Sequence, residues 1–441
     1  MPVLRLAITL CVMSTKPQLK TLNNGMKAIL VPQKGATSTT VMVFTKVGSR
    51  YESPEINGAS HFIEHLMFKG TKRRPTTLDV SKELDRYGAE YNAFTSKDLT
   101  AYYVKMDATQ TKLAIDLLHD MLFHSKYDAK EINRERSVII EEINMYEDNP
   151  RMHIDDIMEE ALFQDSTLGW NIAGPRENIR KVTRQQLIDY RDAYYVPERM
   201  VVTVTGKVDA QVMTQLQKTF GKVKSPKTNK AKDFVPFVSP ESLAHPIAFQ
   251  KKETEQVQLG MSFYGLPLGH KDLAAMSLLS TILGGTMSSR LFIEVRERRG
   301  LCYSVYASHQ AMEDVGMFQV MAGLDKTRIE EAVKVIWQEL KKMTNKLVTA
   351  EELKRAKDHV RGKFLLAFED SSTQADYYGR QWIFQNKLET PEERIKRIQK
   401  VTAADIRRVA KLAFQRDRMA FAIIGPFEDK AAVEAVFKKI Q

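Results

Sequence analysis

From Gly58 to Gly70 the apolar residues Phe62, Ile63, Leu66 and Met67 recur at helical spacing, and His61, Glu64, His65 and Phe68 share the opposite arc. The pattern predicts a helix whose apolar face packs down while two imidazoles and a carboxylate look away, with Gly70 as its stop. Ahead of it, Asn23-Asn24-Gly25 reads as a hairpin turn between strands Gln18–Leu22 and Met26–Pro32, and a third strand runs Thr39–Val47. Behind it come a helix from Thr77 to Tyr87 and two alternating strands, Glu90–Thr95 and Thr100–Met106, about the polar turn Ser96-Lys97-Asp98. Helices follow over Asp107–His124 and Asp128–Glu147, and Asn149-Pro150 breaks the second. A helical stretch then reaches Tyr194, and a strand Met200–Thr205 ends at Gly206.

Between Gly221 and Pro240 the composition shifts to Lys, Ser, Thr and Pro, which marks a linker. The expected organisation is an N-terminal extension over 1–13, a first domain over 14–221, a linker over 222–240 and a second domain over 241–441. Beyond the linker the pattern repeats: Val182-Thr183 matches Val401-Thr402, Arg199-Met200 matches Arg418-Met419, and Gly206 matches Gly425. Self-similarity at one offset predicts a duplicated α+β domain. In the second copy His61, Glu64 and His65 fall over Met276, Leu279 and Ser280, and Glu142 over Lys363. Whatever chemistry these residues carry therefore belongs to the first half.

The 441 residues leave room for two to four domains, and 43% hydrophobic with 27% charged content describes a soluble globular chain. Two cysteines exclude a disulfide scaffold and suit a reducing compartment, so a cytoplasmic location is expected. The apolar run Leu6–Val12 is short for a signal peptide and has no small-x-small cleavage site, and Leu10 before Cys11 is too large for a lipoprotein site. Met13 is the simpler start. No run of 18 apolar residues occurs, so no membrane span is expected. The net charge of +11 raises nucleic-acid binding, but the basic residues are spread along the chain among 55 acids and no nucleic-acid motif accompanies them. No nucleic-acid partner is expected.

His61-Phe62-Ile63-Glu64-His65 is an H-x-x-E-H pattern. Histidines at i and i+4 on a helix can offer two ring nitrogens to one zinc ion, and the glutamate between them is placed to take a proton from a water the ion activates. The competing reading is two histidines and an acid on a solvated face. A third ligand would come from Glu141-Glu142. Glu142 has Val138, Ile139, Met145 and Tyr146 at helical neighbour positions, an apolar face where a carboxylate needs a cation, so it is the better candidate. Glu135, seven residues earlier on nearly the same face, either fixes a ligand or pairs as an exposed acid with Arg136 or Lys130. Gly284-Gly285-Thr286 lacks the Gly-Lys-Ser/Thr ending of a phosphate loop and reads as a turn. The remaining histidines show no ligand spacing.

With Glu142 at its spacing from the H-x-x-E-H pattern, with Asn92-Ala93-Phe94-Thr95, and with Arg296 to Tyr303 in Arg-Glu-Arg-Arg-Gly-Leu-Cys-Tyr, the chain from about Leu19 onward resembles the M16 metallopeptidases. These include pitrilysin, insulysin and the mitochondrial processing peptidase, and the length resembles the short, M16B-type members. The resemblance implies an α+β fold of two homologous domains, each an antiparallel sheet packed with helices (LuxS/MPP-like). It implies a zinc endopeptidase acting on peptides and small unfolded proteins. One zinc ion per chain would be held by His61, His65 and Glu142, with Glu64 as general base and Glu135 in support. Substrate would add as a strand to the edge carrying Asn92, Ala93, Phe94 and Thr95. Arg296 and Tyr303 would bind substrate and steady the tetrahedral intermediate. In the long members four domains enclose a chamber, so two chains of this length would pair as a homodimer, each site completed by the other chain's Arg296 and Tyr303. The alternative is a non-catalytic partner or scaffold subunit.

Overall fold

The computed structural model describes residues 16–225 and 231–440; the expectations on Cys11 and Met13 lie outside them. Asn24 Oδ1 accepts the Met26 N–H at 3.2 Å and Gly25 adopts φ +91°, which reverses the chain between β1 (Gln18–Thr21) and β2 (Lys27–Pro32). With β3 (Ser38–Thr45), β4 (Glu90–Thr95), β5 (Thr100–Asp107) and β6 (Met200–Gly206) they form a six-stranded sheet ordered β1-β2-β6-β3-β5-β4. A second, five-stranded sheet is ordered β7-β11-β8-β10-β9, from β7 (Ile247–Lys251), β8 (Gln256–Gly265), β9 (Cys302–Ala311), β10 (Gly316–Asp325) and β11 (Met419–Gly425). The sheets are mixed, not purely antiparallel: β2 pairs with β6, and β7 with β11, in parallel. Most of each half, strands and helices together, lies between the two partners of its parallel pair, so the chain has ample length to cross over. The α+β class and the two similar halves are as expected.

The helices of the first half are α1 (Ala59–Met67), α2 (Thr77–Asp85), α3 (Thr111–His124), α4 (Ala129–Asp148), α5 (Pro150–Phe163), α6 (Arg176–Lys181), α7 (Arg184–Tyr194) and α8 (Ala210–Lys218). Those of the second are α9 (Leu273–Gly284), α10 (Ile329–Asn345), α11 (Ala350–Ala367), α12 (Ser371–Gln385), α13 (Pro391–Lys400), α14 (Ala403–Ala413) and α15 (Lys430–Phe437). Two of them cross over. Helix α5 packs on β8 and β11 of the second sheet, and α12 packs on β3 and β6 of the first. A glycine permits each close approach: a Cβ on Gly379 would lie 2.0 Å from the Phe44 ring, and one on Gly260 would lie 2.1 Å from Met158 Sδ. Ser371 ties α12 to the first sheet through Thr40 Oγ1 (2.8 Å) and Thr205 Oγ1 (2.6 Å).

The turn between β4 and β5 is also clasped by the second half. Arg50, 1% exposed, donates to Asp98 in that turn and to Asp314 between β9 and β10, each at 2.9 Å, and stacks 3.5 Å from the Phe234 ring centroid. Both terminal nitrogens of the buried guanidinium meet carboxylates and its face meets a ring, so both halves hold the corner from which β4 runs.

Candidate metal centre

The N-terminus of α1 is held by a residue the sequence reading passed over. The buried Glu52 carboxylate accepts the Ser60 and Gly58 N–H groups at 2.6 and 2.7 Å and the Asn57 amide at 2.9 Å. It satisfies orphan helix donors and complements the positive end of the helix. Burial pushes its acid up to about 7 against the pull of those donors. Gly58 sits at φ +101°, where a Cβ would meet Ala173 O at 2.5 Å. The helix ends at Met67, and the chain turns away at Gly70, φ +102°. Phe62, Ile63, Leu66 and Met67 are buried on its inner face as the pattern predicts.

On the outer face three side chains converge. His61 Nε2 and His65 Nε2 lie 3.2 Å apart, and Glu142 Oε2, from α4, lies 3.5 and 3.4 Å from them. The corners of a zinc tetrahedron with N and O ligands at ordinary bond lengths are spaced by about 3.3–3.6 Å. The donor set and its spacing therefore fit zinc. Nδ1 of His65 lies 2.8 Å from Oε1 of Glu135, which holds the ring proton on Nδ1 and turns the Nε2 lone pair toward the cluster. Glu135 is 2% exposed, and its other oxygen lies 2.7 Å from Lys69 Nζ. It pairs with His65 and Lys69 instead of Arg136 or Lys130.

The electrostatics follow from burial and these contacts. Burial, reinforced by the neighbouring His65, lowers His61 to about 4. Burial also pulls on His65, but bonds to Glu135 and Glu142 outweigh it and raise the ring to about 9. Glu142 is held below the usual carboxylate range by its His65 bond. Two carboxylates gathered around two imidazoles form a charge pattern that a divalent cation complements.

Glu142 reaches the histidines for a different reason from the one its neighbours suggest. Val138, Met145 and Tyr146 are exposed, and of those four neighbours only Ile139 is buried. The core face of α4 is Ile132, Ile139 and Ile143, while Glu135 and Glu142, two turns apart, lie along the line facing α1. Glu64 is set by the edge strand: Thr95 Oγ1 donates to its carboxylate at 2.5 Å, and burial raises the acid while that bond lowers it. On the outermost strand β4, the Ala93 N–H is met by the Asn92 side-chain oxygen at 2.9 Å.

A cavity of about 570 Å³ opens over this cluster, lined by His61, Glu64, His65, Glu142 and Asn92–Thr95. Tyr146, Asp156 and Asn171–Ala173 line it too, and no period or motif marks them in the sequence. Arg296 and Tyr303 are brought to each other instead. The Arg296 guanidinium lies 5.3 Å from the Tyr303 ring and 4.7 Å from that of Phe292. Tyr303 is 70% exposed at the start of β9, the edge of the second sheet, and neither residue lines the cavity. Gly284 serves packing, since a Cβ there would lie 2.2 Å from the Ala307 nitrogen of β9.

The family model "Insulinase (Peptidase family M16)" matches residues 28–176, and "Peptidase M16 inactive domain" matches residues 181–360. The chain is 35% identical over 408 residues to the uncharacterized zinc protease YmxG of Bacillus subtilis, covering 92% of this chain and 97% of that protein. It is 34% identical over 415 residues to an uncharacterized zinc protease of Streptomyces coelicolor, covering 93% and 90%. Among solved structures, a protease from Helicobacter pylori superposes with a TM-score of 0.86 at 24% identity, covering 94% of this chain and all of that one. A peptidase M16 inactive domain from Pseudomonas fluorescens superposes with a TM-score of 0.85 at 18% identity, covering 94% and 98%. These two likenesses speak for the fold alone.

Proposed function

The chain belongs to the M16 peptidase family, and we propose that it is a zinc-dependent endopeptidase of peptides and small unfolded proteins. One observation carries this reading: two imidazole nitrogens and a carboxylate oxygen spaced 3.2 to 3.5 Å apart beneath a cavity that also holds the Glu64 carboxylate. His61, His65 and Glu142 would hold one zinc ion, which supplies Lewis-acid polarisation of the scissile carbonyl and acidifies a water.

The remaining work falls to the chain's own groups. An extended substrate pairs with the outer edge of β4, displacing the Asn92 side chain from the Ala93 N–H. Glu64, held by Thr95, accepts a proton from the attacking water and returns it to the amide nitrogen as the C–N bond breaks. Glu135 keeps His65 in its orientation. Arg296 and Tyr303 donate hydrogen bonds to the developing oxyanion. The exposure of Tyr303 and the place of both residues away from the cavity of their own chain support their delivery by a second copy, in a homodimer with two-fold symmetry. Among the described residues no helix is long and apolar enough to cross a membrane, and Cys302 is a buried free thiol, in keeping with a cytoplasmic setting.

The test is digestion of a mixture of unstructured peptides by the purified protein, by the protein after chelation, and after zinc is restored. Cleavage that disappears with chelator and returns with zinc is expected. Cleavage indifferent to chelator would end the zinc reading.

A further inference from the structure

A strand added to β4 sends its side chains alternately to the two faces of the sheet. Thr95 points to the face that carries α1 and the metal cluster, because its hydroxyl reaches Glu64. Phe94 points to the opposite face, where it packs in the cluster built around α12. That helix belongs to the second half; it packs on β3 and β6, and its side chains reach out to the edge strand. Asp370, at its start, pairs at 2.8 Å with Lys105, which is opposite Glu90 and lies 3.3 Å from its carboxylate. Arg380, ten residues on, lies 5.2 Å from the Phe94 ring centroid, four residues along the strand. Ten helical residues advance about 15 Å, and four strand residues about 13 Å, so helix and edge keep step.

Arg380 is built to present its charge. Its Nε donates to Asp376 at 2.7 Å, the Phe94 ring backs the guanidinium, and the side chain is 41% exposed. No other described residue is paired with its fork. We propose that Arg380 is a specificity residue of the substrate edge, selecting an acidic side chain at the substrate position that lies beside Phe94. This rests on the edge-strand peptidase reading above. A side chain directly across from Phe94 on an added strand has its Cβ about 5 Å away, so an Asp or Glu there reaches the free edge of the fork. Asp376 offsets part of the charge, which keeps the preference moderate. At the other end of the strand Glu90 and Asp370 outnumber Lys105, so the acidic preference is confined to the Phe94 end.

The test uses the full-length protein and one cleavable peptide varied at each position in turn between Glu, Gln and Lys. The ratio of kcat/KM for the Glu and Lys peptides is read within each enzyme preparation, so the active fraction cancels. Wild type should favour Glu over Lys by about three- to tenfold at one position, the size of a half-exposed ion pair counted against its repulsive counterpart. Arg380→Gln should bring that ratio near one, and Arg380→Glu should invert it at the same position only. Cleavage with the same ratios in all three enzymes would overturn this proposal and leave the peptidase reading standing. Failure of wild type to cut any of the peptides would bring down that reading and this proposal together.

Discussion

Oε1 of Glu135 lies 2.8 Å from Nδ1 of His65, and Oε2 of the same carboxylate lies 2.7 Å from Lys69 Nζ. Against its burial, the bond to His65 and then the contact with Lys69 hold the acid below the usual carboxylate range, and the acid keeps a ring proton on Nδ1, so the neutral ring would meet a metal with its Nε2 lone pair. Replacing Glu135 with Gln preserves shape but loses the charge and weakens the hold on the ring. Zinc affinity should fall by roughly 10- to 100-fold, the usual effect of losing such a partner, as read by competition with a chromogenic chelator. Unchanged affinity would remove the positioning role.

Asp155 on α5 gives a pH signature. Burial, with Glu159 and Asp156 adding like charge, raises it from its ordinary value to about 6, and its Oδ1 is buried without a partner. In the unfolded chain it ionises near pH 3.9. Between these values the folded protein holds a proton that the unfolded chain has released. The stability it contributes is therefore present below about pH 4, falls as pH rises through about 6, and stays lost above. Asp155→Asn should be more stable than wild type at pH 8 by about 1–3 kcal/mol, with the gain vanishing near pH 4. Urea midpoints at pH 4, 6 and 8 measure this, and parallel curves at all three would contradict it.

What could be read from the sequence was what periodicity and short spacing encode. The helix of His61 and His65 was legible because its faces segregate over nine residues, and β4 was legible because it alternates beside a polar turn. The crossing of α5 and α12 was not. An amphipathic pattern shows which face of a helix is apolar, and says nothing about which sheet will cover it. Glu52 and Arg50 were passed over for a related reason: each is buried against partners that no local period connects to it, as with Arg50 and Asp314, 264 residues apart. The sequence favours Glu142 over Glu141 on an apolar face that is largely exposed in the fold, and Glu142 reaches the histidines through its two-turn alignment with Glu135.

A shared site makes a distinctive prediction about mixtures. Glu64→Gln and Tyr303→Phe should each abolish most activity in a homodimer of its own kind. After subunits exchange, half the dimers carry one of each, and in those one site has both intact parts while the other has both defects. Activity should recover to about a quarter of wild type if exchange is random. Exchange confirmed by native mass, with no activity returning, would place the whole site within one chain.

Zinc content and hydrolysis measured together in Glu64→Gln separate metal binding from proton transfer. Glu64 stands outside the trio His61, His65 and Glu142, and its carboxylate is held by Thr95 over the same cavity. The amide cannot accept a proton at neutral pH. Zinc should bind at the wild-type level while peptide cleavage falls by roughly 10²- to 10⁴-fold, the range for loss of a general base. Wild-type cleavage by the zinc-loaded Glu64→Gln protein would contradict it.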